Sequence, residues 1–432
     1  MKKLNLSLLA LAGVLALSAC KKEKENKTTD TGTTPVTTNT GTTPSTNTGI
    51  IPTTTIEGVD FSIKYTNYLG ETTEEKFNTK DYDNVLDALK SKFDVVESNG
   101  YISKINDSFK DPNWAIMIYE NGESATVGVD GLVIDENDEF EFKFECWNTI
   151  ASGWGTFDEY EILVDKAIYN YAINKLPNIL SPLFTFSGNN YWESMSLYKM
   201  INAKNEYGNL YDTNIFNANI YTENYANAIK AYDVTKLNGN DYFKYYYSAR
   251  LFDDINLDTF KEKYTDYLKT LTEFESFGEY KYPFIISTAK TLGLDSNISR
   301  AITDPEYRPD SSQFGPDGLS WLLTGMSSAN TVTGEDLNLL KYDLLENSYS
   351  KDTSLTSMII PLVSKSLDPR GYIKDSNERD ILKILFDDYF DLETFKFTTE
   401  ASDSDYSSNQ IYAALIAYKV FRDTHSATNL FE

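Results

Sequence analysis

Residues 139–146 read EFEFKFEC, and their alternation decides how the first folded part of the chain is built. One set of positions is apolar and the other charged, and the apolar set is Phe140, Phe142, Phe144 and Cys146. Successive side chains of a β-strand point to opposite faces of the sheet. This two-residue period is therefore typical of a strand that is buried on one side only. The segment predicts a sheet with one apolar and one charged face.

The segments before this strand predict the rest of the sheet. Phe61, Ile63 and Tyr65 alternate with polar residues, and so do Trp114, Ile116 and Ile118, which are followed by the turn pair Asn121-Gly122. Between them, residues 81–93 have the spacing of a helix, with Asp81 or Asp83 as its cap. The order of strands around one helix predicts a β-grasp-like domain over residues 57–148.

Short motifs in the same region resemble the transcobalamin C-terminal-like family. They are VLDAL at 85–89, YISKI at 101–105, WAIMIYENG at 114–122 and DENDEFEF at 135–142. The family includes the small β-domain of vertebrate cobalamin carriers, which closes over a ligand held against a helical toroid. The resemblance therefore implies a ligand-binding domain, with a corrinoid as the ligand.

A helical domain is predicted over residues 156–432. Apolar stripes with helical spacing recur, for example at Leu355, Met358, Ile359 and Leu362, and again at Ile411, Leu415 and Tyr418. They alternate with more polar helical stretches, as in stacked helical hairpins. The segment FGPDGLSWLLTGM at 314–326 and the tail from Asn409 resemble the α/α-toroid superfamily of terpenoid cyclases and protein prenyltransferases. The predicted fold class is thus multidomain α+β, a β-grasp-like domain followed by an all-α toroid.

The N-terminus has the pattern of a secretory signal. Two lysines precede an apolar run that is shorter than a membrane span, and the run ends in Leu17-Ser18-Ala19-Cys20. This ending resembles the lipobox of bacterial lipoproteins, which implies a signal peptide at 1–19 and acyl chains, such as palmitate, on Cys20. Residues 20–56, rich in Thr, Pro and Gly, predict a tether. We expect a lipid-anchored protein on the extracellular side of a bacterial membrane.

Charge and residue counts disfavour several functions. The formal net charge is −26, which opposes binding to nucleic acid phosphates. With one histidine, His425, and Cys146 as the only cysteine besides Cys20, we expect no cysteine-based zinc site and no histidine triad. The acidic run at 135–139 has oxygen ligands for calcium but lacks the spacing of an EF-hand loop, so it favours a solvated turn and we assign no metal site. We assign no catalytic residue, although a glycoside-hydrolysing carboxylate pair stays open among the 65 acidic residues.

Binding is therefore the predicted activity, in a cleft between the β-domain and the helical domain. Such sites are commonly apolar, with a few placed polar groups, and often lie at domain interfaces. The candidate ligand-binding residues are Trp114, Tyr119, Asn121, Trp147, Trp154, Trp192 and Trp321. The ligand would be a corrinoid or another small nutrient. The alternative is a surface adhesion or structural module that binds protein or glycan and has no small-molecule ligand.

Overall fold

The computed structural model describes most of the β-domain and separate parts of the helical region. The described residues are 58–179, 191–211, 218–239, 241–270, 285, 288–289, 291–294, 323–324, 358–397 and 405–430. The protein is α+β, with an N-terminal sheet domain and a helical C-terminal region. Both belong to one compact unit, Ile56–Glu432.

Seven strands and one helix form the sheet domain. The strands are β1 (Asp60–Thr66), β2 (Thr72–Asn78), β3 (Val95–Ser98), β4 (Tyr101–Ile105), β5 (Trp114–Glu120), β6 (Glu123–Ser124) and β7 (Glu139–Cys146). The helix α1 (Val85–Lys92) follows β2. Five strands make one sheet in the order β2-β1-β7-β5-β6, in which β1 and β7 are parallel and the other pairs antiparallel. The first and last long strands of the domain thus lie side by side at its centre.

The predicted alternation of β7 is confirmed. Phe140, Phe142, Phe144 and Cys146 are all buried, whereas the charged residues between them are only half-buried. The apolar face belongs to the same hydrophobic core as Val85, Ala88 and Leu89 of α1, which are also buried. Burial of a large apolar side chain stabilises a fold by about 1.5–3 kcal/mol, so this single strand contributes substantially.

Three local details differ from the sequence-based picture. The cap of α1 is Asn84 rather than Asp81 or Asp83, because its side-chain oxygen accepts from the backbone N–H of Asp87 at 2.8 Å. The Asn121-Gly122 turn is present, with φ of 51° and 83°, but β6 is only two residues long and lies at an edge of the sheet. The β3–β4 hairpin forms a separate two-stranded sheet that the alternation did not reveal.

The helical region contains nine described α-helices, some of them short. They are α2 (Glu159–Ile179), α3 (Tyr191–Ile201), α4 (Ala218–Ala231), α5 (Asp241–Ala249), α6 (Asp258–Thr270), α7 (Ile359–Ser364), α8 (Pro369–Tyr372), α9 (Ile381–Tyr389) and α10 (Asp405–Thr424). Two short antiparallel hairpins follow α3 and α9. The first pairs β8 (Lys204–Asn205) with β9 (Gly208–Asn209), and the second pairs β10 (Phe390–Asp391) with β11 (Lys396–Phe397).

The predicted apolar stripes that fall on described residues are buried. Met358, Ile359 and Leu362 lie in or beside α7, and Ile411, Leu415 and Tyr418 lie on α10. Helix α10 packs against α2, α3 and α7, so it is surrounded by other helices along much of its length. The stretch 314–326, apart from residues 323 and 324, lies outside the described residues, as do the signal peptide, Cys20 and the tether.

Candidate functional site

A compact loop connects the last strand of the sheet to the first helix of the helical region. This junction loop, residues 147–157, reads WNTIASGWGTF and lies between β7 and α2. It exposes large apolar side chains, with Trp154 83%, Ile150 64% and Trp147 37% accessible to solvent. Clusters of exposed apolar side chains on a soluble protein are typical of interaction sites. The loop is thus the first place to look for a ligand surface.

Hydrogen bonds within the junction loop fix its path. The backbone N–H of Ile150 donates to the carbonyl of Phe157 at 3.0 Å, and the N–H of Phe157 donates to the carbonyl of Asn148 at 2.9 Å. The Ser152 hydroxyl bonds the carbonyls of Thr149 and Trp147. Because Phe157 is also buried, the two ends of the loop are held together beneath the exposed side chains.

Two glycines make this path available to the backbone. Gly153 has a φ of +73°, in the left-handed region that side chains with a Cβ seldom adopt. At Gly155 a Cβ would lie 2.1–2.4 Å from atoms of Asn148, two of which are backbone atoms. Only glycine therefore permits this close approach of the two sides of the loop.

Beneath the loop lies a cluster of buried charges, which we name the ionic latch. Its members are Asp111, Glu161, Asp165, Lys419, Arg422 and Asp423. The fully buried Lys419 ammonium lies 2.7 Å from Asp111, 2.8 Å from Asp165 and 3.0 Å from Asp423. These carboxylates come from the segment before β5, from α2 and from α10 itself. The latch therefore joins the sheet domain to two helices.

Arg422 completes the latch from the next turn of α10. Its guanidinium lies 2.6 Å from Asp165, 2.8 Å from Asp423 and 3.0 Å from Glu161. The same guanidinium lies 4.2 Å from the centre of the Phe157 ring, so a latch residue contacts the base of the junction loop. Removing one partner of a buried ion pair leaves an uncompensated charge and costs roughly 3–5 kcal/mol.

The latch carries more negative than positive charge, and neutral donors offset the difference. Two cations face four carboxylates, and each carboxylate also accepts one aromatic donor. The donors are the hydroxyls of Tyr169 to Asp111, Tyr211 to Asp423 and Tyr418 to Glu161, and the Trp114 indole N–H to Asp165. Buried polar groups satisfied in this way avoid most of the cost of leaving water. Within the described residues, no three His, Cys, Asp or Glu side chains are placed to hold a metal ion.

The carboxylates of the latch differ in their affinity for protons. Burial raises the pKa of Asp111 to about 6, against the opposing attraction of Lys419. Burial also disfavours charge on Asp423, but Arg422 and Lys419 outweigh it and hold its pKa well below the usual value. Asp111 therefore takes up a proton at a higher pH than Asp423 does.

A second cationic centre borders the latch and shares one of its members. Arg370, on α8, lies 2.6 Å from Asp158, 3.0 Å from Glu161 and 2.8 Å from Asp380. Asp158 directly precedes α2 and Asp380 caps α9. The two arginines thus connect α2 with α8, α9 and α10 through shared carboxylates.

Two of the predicted ligand-binding residues, Trp147 and Trp154, lie together on the junction loop. Trp114 is buried below it, where its indole bonds Asp165. The structure places Tyr119 on the opposite face of β5 from Trp114, hydrogen-bonded to Glu145 and covered by the Lys143 ammonium at 4.7 Å from the ring centre. These positions do not bring Tyr119 to the junction loop.

The remaining candidates lie apart from the loop or outside the described part. Asn121 lies in the β5–β6 turn, where its side chain bonds Asp138 and the N–H of Glu139. Trp192 is on α3, but its side chain lies outside the described residues, and so does Trp321.

Sequence reasoning missed Ile150 and the whole latch. One signal was present, because Lys419 and Arg422 continue the helical spacing of Ile411 and Leu415 and so occupy the apolar stripe of α10. Charged residues on such a stripe are buried only when they are paired. Several of their carboxylate partners, however, are distant along the chain; Asp165, for example, lies 254 residues from Lys419.

Comparison with known proteins gives one match. A family profile described as a domain of unknown function, DUF4430, matches residues 83–146. DUF4430 is a family of transcobalamin-like domains, and the match ends at the last residue of β7, directly before the junction loop. No curated protein and no solved structure matches the chain. In the described residues, no helix is long and apolar enough to cross a membrane. The comparisons thus show that residues 83–146 are similar to DUF4430 domains.

Proposed function

We propose that this chain is a cell-surface lipoprotein that binds a small ligand at the junction loop, between its β-domain and its helical domain. The exposure of Trp154 carries the proposal, because an indole that is 83% accessible lies on a loop whose path is fixed by internal hydrogen bonds. Trp147 and Ile150 add exposed apolar surface to the same loop. A preformed aromatic surface binds with little loss of conformational entropy.

The chemistry of the loop favours a ligand with a flat, partly apolar face. An indole ring offers a large planar surface for stacking, and its burial on binding is worth more than that of smaller side chains. The likeness of residues 83–146 to transcobalamin-like domains supports a corrinoid, whose macrocycle has such a face. The net charge of −26 disfavours strongly anionic ligands.

The cellular placement and the fold of the helical region belong to the same proposal. The Leu17-to-Cys20 motif supports acylation of Cys20, and the tether at 20–56 would hold the folded part away from the membrane. The almost continuous burial of α10 from Gln410 to Val420 supports an inner helix of an α/α toroid. Mass spectrometry of the mature N-terminus tests the first of these points, and a crystal structure of the folded chain that covers all of residues 156–432 tests the second.

Calorimetric titration tests ligand binding at the loop. Cobalamin and cobinamide are titrated at micromolar concentrations into the wild type, Trp154→Ala and Tyr207→Ala, the last being an exposed aromatic in the β8–β9 turn. We expect the wild type and Tyr207→Ala to bind alike and Trp154→Ala to bind at least about tenfold more weakly, a difference of about 1.4 kcal/mol. If the wild type does not bind, the corrinoid is rejected as the ligand. If Trp154→Ala binds as tightly as the wild type, the junction loop is rejected as the binding site.

The same exposed loop favours a second candidate, an adhesion module that binds protein or glycan. Trp154 projects from a connecting loop, and indole rings also stack on the apolar faces of sugars. A glycan array probed with the wild type and Trp154→Ala separates the two functions. Signals that depend on Trp154, together with no corrinoid binding, would favour adhesion.

A further inference from the structure

One buried residue connects the ionic latch to the junction loop, and it is Asn113. Its donors face the latch, since its backbone N–H donates to Asp111 at 2.8 Å and its side-chain amide donates to Asp423 at 3.0 Å. Its acceptors face the loop, since its side-chain oxygen accepts from the Asn148 amide at 2.9 Å and its carbonyl accepts from the Trp147 N–H at 3.0 Å.

The Asn148 side chain carries this connection across the loop. Its amide donates to Asn113, and its oxygen accepts from the backbone N–H of Thr156 at 3.2 Å. The series of hydrogen bonds therefore runs from Asp423 in α10 through Asn113 and Asn148 to both ends of the loop. Trp154 lies between the two residues, Asn148 and Thr156, that this series joins.

Neither an aspartate nor an aliphatic residue at position 113 could make both side-chain hydrogen bonds of Asn113. An aspartate there would keep the acceptor for Asn148 but would lose the donor and place a second carboxylate 3 Å from Asp423. An aliphatic residue would leave both Asp423 and Asn148 without this partner in a buried setting. The asparagine amide supplies both the donor and the acceptor from one planar group.

We propose that Asn113 is a positioning residue that makes the conformation of the junction loop depend on the ionic latch. The inference rests on the proposed role of the loop in ligand binding. When α10 is docked and Asp423 is held by Lys419 and Arg422, Asn113 is oriented so that its oxygen meets Asn148. When the latch is weakened, Asn113 loses its orientation, and the loop that presents Trp154 loses its order.

Hydrogen exchange measured by mass spectrometry tests this coupling in a double-mutant cycle. The variants are Asp423→Asn, Asn113→Ala and the two combined, and the peptide that covers the junction loop is compared with the peptide that covers β7. We expect Asp423→Asn to speed exchange in the loop several-fold when Asn113 is present and to have no further effect on Asn113→Ala. Exchange in β7 should change little in any variant.

Two further variants keep the test decisive. Tyr211→Phe removes the hydroxyl that donates to Asp423, so it weakens the latch by one hydrogen bond. This variant replaces Asp423→Asn in the test if Asp423→Asn does not fold. Asn67→Ala removes a side chain with similar hydrogen bonds in the β1–β2 turn and should leave exchange in the loop unchanged. Equal effects of the latch variants with and without Asn113, or unchanged loop exchange in Asn113→Ala, would overturn the inference.

Ligand affinity gives an independent outcome. If the wild type binds a corrinoid, Asn113→Ala should bind it about tenfold more weakly, while Asn67→Ala binds as the wild type does. Unchanged affinity in Asn113→Ala would show that the positioning does not serve binding. If no corrinoid binds, the exchange experiment still decides whether Asn113 couples the latch to the loop, so failure of the proposed function is distinguishable from failure of this inference.

Discussion

Gly155 shows most directly how a single residue shapes the junction loop. Replacing it with alanine would place a Cβ within 2.4 Å of the Asn148 backbone, which cannot move aside as a flexible side chain could. Overpacking of this kind typically costs about 1–3 kcal/mol. We expect Gly155→Ala to lower the free energy of unfolding by this amount and to raise hydrogen exchange in the loop.

A matched control is Gly371→Ala. Gly371 lies in helix α8, and its added Cβ would meet only the Asp368 carboxylate at an ordinary 3.6 Å. Urea denaturation of both variants provides the measurement, and the control should remain within about 0.5 kcal/mol of the wild type. A Gly155→Ala variant as stable as the control, with an equally protected loop, would mean that the loop does not follow the described path.

At the residue scale, the sequence predicted local backbone conformation better than the burial of individual side chains. The turn at Asn121-Gly122 was predictable, because tight turns need residues that tolerate positive φ. The contrast between buried Trp114 and exposed Trp154 was not, since it depends on what packs above each ring. Trp114 is covered by residues such as Asp165 that are distant in sequence, and local periodicity carries no information about such contacts.

At the scale of elements, the latch joins the segment before β5 to α2 and α10. Protonation of its carboxylates makes the stability of this contact depend on pH. The pKa of Asp111 is about 6 in the fold, above the value of about 4 for an unfolded aspartate. The stability that protonated Asp111 contributes to the fold is therefore fully present below about pH 4 and is lost as the pH rises through 6. Asp423 acts in the opposite sense, because its lowered pKa stabilises the fold above about pH 4.

Asp111→Asn should accordingly flatten the pH dependence of stability between about pH 4 and 7. The groups that face Asp111 are Lys419 and Asp423 on α10, and Asp165 and Tyr169 on α2. We expect the wild type to lose on the order of 1–3 kcal/mol across this range relative to the variant, as measured by urea denaturation at several pH values. Asp81→Asn, at an exposed position before α1, is the control and should keep the wild-type slope. An unchanged slope in Asp111→Asn would contradict the raised pKa.

The elements differ in how far the sequence reveals them. Strand β7 was predicted to its ends because one face is apolar and the other charged at every step. The β3–β4 hairpin was not, because only part of it alternates and a register shift interrupts it between Val96 and Glu97. Helix α10 was recognisable from its apolar stripe, but the burial of Lys419 and Arg422 on that stripe depends on α2 and on the sheet domain.

At the scale of the whole molecule, the order of a sheet domain before a helical region followed from composition and periodicity. The change from a two-residue to a helical period after Gly153-Trp154-Gly155 predicted where the two parts are connected. The way the two parts meet was not predictable, because it depends on carboxylates from both that gather around one lysine. The junction loop is linked to this contact between the two parts, because Asn113 connects the loop to the latch.

The most direct test of the central claim is native mass spectrometry of the protein purified from its source. Wild type and Trp154→Ala are compared for a retained small molecule under identical conditions. Our account predicts that the wild type carries an added mass that is absent or strongly reduced in Trp154→Ala. An added mass retained equally by both proteins, or no small molecule on the wild type under conditions that preserve its fold, would contradict it.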